Sequence, residues 1–598
     1  MTIDTEQLDR AEKLIEIGKY NEAESIADAA LHTYPSLTNL ELLSRAAFLK
    51  GKASLQPLLD QLVDDSVEEK PVVGMFQNAW DLFHLSISLD SENDEAMEHI
   101  DNMKHLMVKQ PKKCNHSNAF DVLVVGAGAS GVGVSLMLTR VFGLNPEKVL
   151  IVERGESVGE TFKRWPKEMR FISPSFNSQG WTNSFDLNSV AFGTSPAFTL
   201  HTEHPTGEQY ARYLQALVDE AKLRVSTRTE VKAITPIKST TFFGEGFNVD
   251  VTSVNTVGTS VSETFSARYV IWAAGEFQYP RTDNSLFSGA KHCIHNSSVK
   301  SWAKLTGDDF VIVGGYESGI DAASNLSKRG INCTVISSTA YWKVATPDPS
   351  TELAPFTADR LRVAVASKCP PRLLAPFRVF QVERVQQQDE SGKTNTKYLV
   401  HARRSKPAKF SNGQHRVPYV ENDEVMDNMT KVGTESEDEV LLYTPQPPIL
   451  CAGFEGSVNL GIVKDMFEWV NVSEDSHDGS ENGDYDSDND DDDTEMMDKE
   501  VKSKVDTTDH SGVATCPLLN DHDESTTTPG LFLCGPAVRH DTLSFCYIYK
   551  FRQRFGIVAD AIAQGLGYNT DFAVMEARNM NMFLDDLSCC KSACGETC

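Results

Sequence analysis

Three glycines, Gly126, Gly128 and Gly131, stand in the stretch DVLVVGAGASGVGVSLML, residues 121–138. An apolar run precedes them and a helix-forming run follows. In that setting Gly126 allows a tight turn, Gly128 lets the backbone approach a pyrophosphate, and Gly131 lets the helix pack on its strand. The helix opens at Ala129 and Ser130. There, free N–H groups and the positive end of the helix dipole favour phosphate oxygens. A second apolar run, KVLIVER, ends at Glu153 and Arg154, where a carboxylate is placed for ribose hydroxyls. Strand, glycine turn, helix and distal acid occur together, which predicts a dinucleotide site rather than a merely structural turn.

The pattern recurs in DDFVIVGGYESGIDAASNLSKRGINCTVISS, residues 308–338. Gly314 and Gly319 hold the first and third glycine positions. Tyr316 holds the middle one, with Gly315 beside it and Ser318 at the opening of the next helix. That substitution implies a different approach of the phosphates, or a Rossmann-like unit that binds none. The following strand ends in Ser337 and Ser338. A carboxylate there would bind the 2′-hydroxyl of NAD and repel the 2′-phosphate of NADP. Its absence points to NADPH, with NADH as the alternative. No cation for that phosphate is evident from the spacing; Lys343 is a candidate only.

Other residues could do chemistry with less support from spacing. The chain has 12 cysteines, none in a C-x-x-C pair, and four of them (Cys589, Cys590, Cys594 and Cys598) crowd its end. That cluster reads as an inert tail, a redox tail or a metal site, and no metal ligand set is assigned. Trp165, Trp181 and Trp342 either line a pocket or fill a core.

Elements must position these groups. The runs 122–125, 149–152, 269–273, 310–313, 333–336 and 531–534 are continuously apolar, which suits strands covered on both faces of a parallel sheet. Helical patterns follow several of them, so the architecture is α/β. Residues 1–108 read as all-α instead. Gly18, Tyr20, Ala23, Ala27, Ala30 and Pro35 fall at tetratricopeptide-like spacing, so this segment is either a docked helical extension or a module for a protein partner. Residues 109–118 read as a linker. Residues 474–509 hold the run DYDSDNDDDDTE and too little apolar surface to offset ordering, so they read as a disordered insertion. Lys plus Arg is 56 against 85 Asp plus Glu, a net charge of −29, which disfavours nucleic acid and anionic membrane as partners. No apolar run reaches the roughly 18 residues of a membrane span. With no secretory signal at the start, reduced thiols and a cytoplasmic location are expected.

Three further segments complete a pattern. YVIWAAGEFQYP, residues 269–280, carries Gly275; PPILCAGFEG spans 447–456; GLFLCGPAVRHD, residues 530–541, carries Gly535. Together with Gly159 and Thr161 of VGETFKRW, they resemble FAD-dependent, NAD(P)H-linked oxidoreductases of the flavin-containing monooxygenase kind, over roughly residues 120–567. The resemblance implies a two-dinucleotide flavoprotein with the NAD(P)H domain inserted in the FAD domain. Its parts would be 119–305 (FAD, first part), 306–440 (NAD(P)H), 441–581 (FAD, second part) and a Cys-rich tail, 582–598. It implies that NADPH reduces the flavin and that O₂ then oxygenates a small-molecule substrate, with no catalytic acid or base demanded. Two departures are visible. Gly535-Pro536 stands where relatives have Gly-Asp for the flavin ribityl chain. The fingerprint Phe-x-Gly-x-x-x-His is met at Phe287 and Gly289, with His292 one place early and His295 two places late. Two alternatives stay open: a flavin-dependent thiol/disulfide reductase, and a partner-binding scaffold on a degenerate flavoprotein body.

Overall fold

The computed structural model describes residues 5–33, 40–63, scattered positions between 79 and 99, and then 119–176, 186–237, 246–254, 259–343, 352–388, 394–405, 439–471, 515–540 and 543–587. The linker 109–118, Pro35, Trp181, the acidic insertion 474–509 and the four terminal cysteines lie outside the described residues.

Two sheets, the first mixed and the second parallel, carry the glycine turns. The first contains β1 (Ala119–Val125), β2 (Val149–Val152), β3 (Arg224–Ser226), β4 (Thr229–Ile237), β5 (Gly246–Val254) and β6 (Ser260–Trp272), in the order β3-β2-β1-β6-β5-β4. Leu531–Leu533 adds to β6 in parallel, with Phe532 opposite Ile271. Pairing is parallel from β3 to β6 and antiparallel through β5 and β4. The continuous apolar runs are explained by burial on both faces: Leu123, Val124, Ile151 and Ile271 are wholly buried. The helices Ala129–Leu136, Gly207–Ala221 and Phe555–Leu566 supply apolar cover.

The second sheet contains β7 (Ile294–His295), β8 (Asp309–Val313), β9 (Asn332–Ile336) and β10 (Arg372–Leu374). A three-stranded antiparallel sheet follows, β11 (Phe377–Gln388), β12 (Thr394–Arg404) and β13 (Glu439–Thr444). The chain then returns at β14 (Ile449–Leu450) to complete the second sheet in the order β10-β9-β8-β14-β7. This sheet thus draws strands from both sides of the 306–440 span expected for it. Between the two sheets the chain crosses twice, at Tyr279–Pro280 and Phe454–Glu455, and these crossings pair as an antiparallel ribbon.

The N-terminal helices Thr5–Glu16 and Tyr20–Thr33 turn at Gly18, whose φ is +76°. Ala23 and Ala27 are wholly buried, which lets the helices approach. Phe572 of the helix Asp571–Asn579 packs on the same cluster, so these helices rest on the α/β body. Among the described residues no helix is long and apolar enough to cross a membrane.

Candidate cofactor site at two glycine turns

The first turn is built by close backbone approaches. Gly126 has φ +108°, and a Cβ there would meet the Ala273 carbonyl at 2.5 Å. A Cβ on Gly131 would lie 1.9 Å from the Gly126 carbonyl. Around Gly128 the situation is the opposite: a Cβ would meet nothing within 4 Å, so an open cradle lies beside it. The helix that follows starts at Ala129 with no side chain capping it, leaving its N–H groups for a ligand. Ala129, Ser130 and Gly131 are buried in its first turn.

Glu153, at the end of β2, accepts from Ala127 N at 2.9 Å and from Gly155 N at 2.6 Å. Its carboxylate therefore clasps the turn. Gly159 donates its N–H to the Ala127 carbonyl at 2.9 Å, with φ +70°. Gly535 reaches the same place from the other end of the chain: a Cβ there would lie 2.5 Å from Ser130 Oγ. Gly275, just past β6, has φ +78° and open space around it. Arg154 points into solvent and Thr161 lies half-exposed on the short helix Glu160–Lys163. The open cradle, the uncapped helix and the two close glycine approaches fit the pyrophosphate of FAD.

The second turn repeats this frame. A Cβ on Gly314 (φ +106°) would meet the Cys451 carbonyl at 2.3 Å, and one on Gly319 would meet the Gly314 carbonyl at 1.9 Å. Tyr316 precedes the helix Glu317–Lys328 at φ −95°, ψ −164°, almost the geometry of Gly128 at −86°, −167°. That region is open to any residue, so Tyr316 is unstrained. Its ring lies 4.9 Å from that of Tyr341. Gly315 is pressed against Ser337 and Trp342, where a Cβ would come within 2.6 and 2.8 Å. Ser318 is half-exposed in the first turn of the helix. These residues fit a nicotinamide dinucleotide at the carboxyl end of the second sheet.

Trp342 is thus buried structure beside the turn, and Trp165 sits in an aromatic group with Phe162 and Phe171, at 5.3 and 5.1 Å. His295 is buried at the junction; it donates from Nε2 to the Gly453 carbonyl at 3.0 Å, and its Nδ1 faces Ser297 Oγ at 2.8 Å. Burial holds its pKa below the ordinary range, although the Gly453 bond opposes that. It is a satisfied neutral imidazole.

Sequence reasoning missed Glu276. Its Oε1 is buried without a hydrogen-bond partner, and a Cβ on Gly456 would lie 2.2 Å from its Oε2. Burial, then the nearby Glu455 charge, pushes its carboxyl up to about 7. No spacing in the sequence marks it, because Gly456 and Glu455 arrive about 180 residues later.

Residues 123–415 match the family described as pyridine nucleotide-disulphide oxidoreductase. The chain is similar to the uncharacterized oxidoreductase CzcO of Bacillus velezensis, with 25% identity over 215 residues, 36% of this chain and 53% of that protein. The CzcO protein of Bacillus subtilis gives 23% identity over 218 residues, again 36% and 53%. The chain spans about half the length of the curated relatives it matches. Among solved structures, the bacillithiol disulfide reductase of Staphylococcus aureus is 16% identical with a TM-score of 0.45, covering 75% of this chain and 99% of that one. The ornithine N-hydroxylase of Kutzneria is 13% identical with a TM-score of 0.45 and the same coverage.

Proposed function

We propose that this protein is an FAD-dependent NADPH oxidoreductase of the monooxygenase type, acting with O₂ on a small nucleophilic or carbonyl substrate. Bound FAD would supply the hydride acceptance and oxygen transfer. The chain's own part is to hold the two dinucleotides. Gly126, Gly128 and Gly131, with the N–H groups of Ala129 and Ser130, hold one pyrophosphate; Gly159, Gly275 and Gly535 give it room, and Glu153 fixes the turn. Gly314, Gly315, Ser318 and Gly319 hold the second dinucleotide, with Tyr316 lining its path. Arg154 and Thr161 border the first site.

The observation that carries the oxygen-using reading over the disulfide-reducing one is the state of the thiols. Among the described residues, the seven cysteines form no disulfide. Burial pushes Cys293 and Cys333 up to about 12, and it raises Cys451 and Cys534 as well. Four of the seven are thus held protonated and do not relay electrons. A second reading, thiol/disulfide reduction, is favoured by one residue: Cys546 is exposed and interacts electrostatically with Tyr316 at the second turn.

One experiment separates them. Purified protein is reduced anaerobically with NADPH and then given O₂ with an amine, sulfide or ketone. A product one oxygen atom heavier supports the first reading. Flavin that stays reduced until a disulfide is added, and reoxidises only in chains that keep Cys546, sinks it.

A further inference from the structure

The second turn lacks an evident reader for the phosphate that distinguishes NADPH from NADH. Strand β9 ends at Ile336, and the ribose edge of a dinucleotide lies at that carboxyl end, beside Ser337 and Ser338. Hydroxyls there hydrogen-bond a phosphate but do not neutralise it. We propose that Arg404, at the end of β12 in the antiparallel sheet, reads the 2′-phosphate and sets the cofactor preference. The inference rests on the reading of the second turn as a nicotinamide dinucleotide site.

The placement follows from backbone pairing. Phe377 opens β11 and donates its N–H to the Ser337 carbonyl at 2.8 Å. Arg404 is paired directly opposite Phe377. The next residue, Ser405, donates from Oγ to the Ser338 carbonyl at 3.1 Å and from N to the Pro376 carbonyl at 3.0 Å. The end of β12 is therefore held to Ser338 directly and to Ser337 through Phe377. Successive side chains of a strand alternate in direction. Phe377, Val379 and Ala402 are buried, so this face of the antiparallel sheet meets the second sheet, and Arg404 shares it. Its guanidinium carbon lies 5.1 Å from the Phe377 ring centre, at the rim of that face. Arg403 is on the opposite face, where it is 2.8 Å from Glu439, and Arg378 is exposed there too. A planar guanidinium braced on an aromatic ring, at a strand end bonded to the carbonyl of Ser338, suits a phosphate monoester dianion.

The test is calorimetric titration of the flavin-loaded, full-length protein with 2′,5′-ADP and with 5′-AMP, which differ only in that phosphate. Wild type is expected to bind 2′,5′-ADP the more tightly. Arg404→Gln should weaken 2′,5′-ADP about tenfold or more while 5′-AMP stays within about twofold. Arg404→Lys should recover part of the loss, and Arg378→Gln should change neither. Equal weakening of both nucleotides, or of neither, in a variant with the wild-type melting profile overturns the assignment. If Arg404→Gln does not fold, Arg404→Lys supplies the same contrast, with a selective loss of a few-fold for 2′,5′-ADP. Wild type that binds neither nucleotide overturns the dinucleotide reading itself, and the proposal with it.

Discussion

Arg554 holds Asp523 with two arms of its guanidinium: Nη2 donates to Oδ1 at 2.7 Å and Nε to Oδ2 at 3.0 Å. Asp523 is wholly buried at φ +62°, a region that Asp tolerates better than most residues. His540 Nε2 lies 2.6 Å from the same Oδ1, and the Asp523 carbonyl accepts from Leu533 N at 2.8 Å. The pair thus ties the last strand of the first sheet to the start of the helix Phe555–Leu566.

Removing one partner leaves the other charge buried. Asp523→Ala is expected to cost about 3–5 kcal/mol in urea unfolding. Asp523→Asn, which keeps the shape and the unusual backbone, should cost less. An Ala variant as stable as wild type would mean that the pair is not closed in solution.

The two outer glycines and the middle one of the first turn should fail differently. Gly131→Ala drives a methyl into the Gly126 carbonyl, so stability falls by about 1–3 kcal/mol. Gly128→Ala has room and an ordinary backbone, and should melt close to wild type. Gly128→Asp should fold equally well but lose its flavin, because a carboxylate faces the pyrophosphate. Stoichiometric FAD retained after gel filtration of that variant would overturn the assignment of the cradle.

Glu276 makes stability depend on pH. Its carboxyl titrates near 7 in the fold, against 4.5 when exposed, first through burial and then through Glu455. The folded state therefore holds its proton longer than the unfolded chain does. Stability from this group is complete below pH 4.5 and falls as pH rises through 7, by at most about 3 kcal/mol. Glu276→Gln should be more stable than wild type at pH 8 and indistinguishable from it at pH 4. Parallel melting-temperature profiles from pH 4 to 8 would refute this.

Glu168 works in the other direction. Burial alone would raise its pKa, but bonds from Ser301 Oγ at 2.5 Å, Trp302 N at 2.9 Å and Ala303 N at 3.2 Å hold it below the ordinary range. Its contribution is present above the unfolded pKa and is lost as pH falls through the lower folded one. Glu168→Ala should cost about 1–3 kcal/mol at pH 7 and increase hydrogen exchange at residues 301–303. No change in that exchange would show the contact to be dispensable.

What the sequence made legible was local. Gly126 and Gly131 could be read because their partners, the Ala273 carbonyl aside, lie within the same few residues, and because glycine is the only residue that fits. The apolar runs of β1, β2 and β8 were readable because both faces are covered. Arg404 was not readable: its place beside Ser337 and Ser338 is set by antiparallel pairing across β11 and β12, about 65 residues later in the chain. Glu276 escaped notice because an isolated acid after a strand looks like any solvated turn residue. Tyr316 was legible as a departure, but only its dihedral angles, close to those of Gly128, show that the middle position does not demand glycine for its conformation.

The strand Leu531–Leu533 carries a consequence for the order of assembly. It pairs with Val270–Trp272, about 260 residues earlier, whereas every strand of the second sheet lies between Ile294 and Leu450. During synthesis the inner unit can close while the outer one still waits for its last strand. Until then the edge of β6 at Val270–Trp272 is open to foreign strands, and Gly535 has not yet reached Ser130. A ribosome-stalled chain ending before Gly530 would therefore carry a finished second sheet and an unfinished first one, the state most exposed to edge-to-edge association.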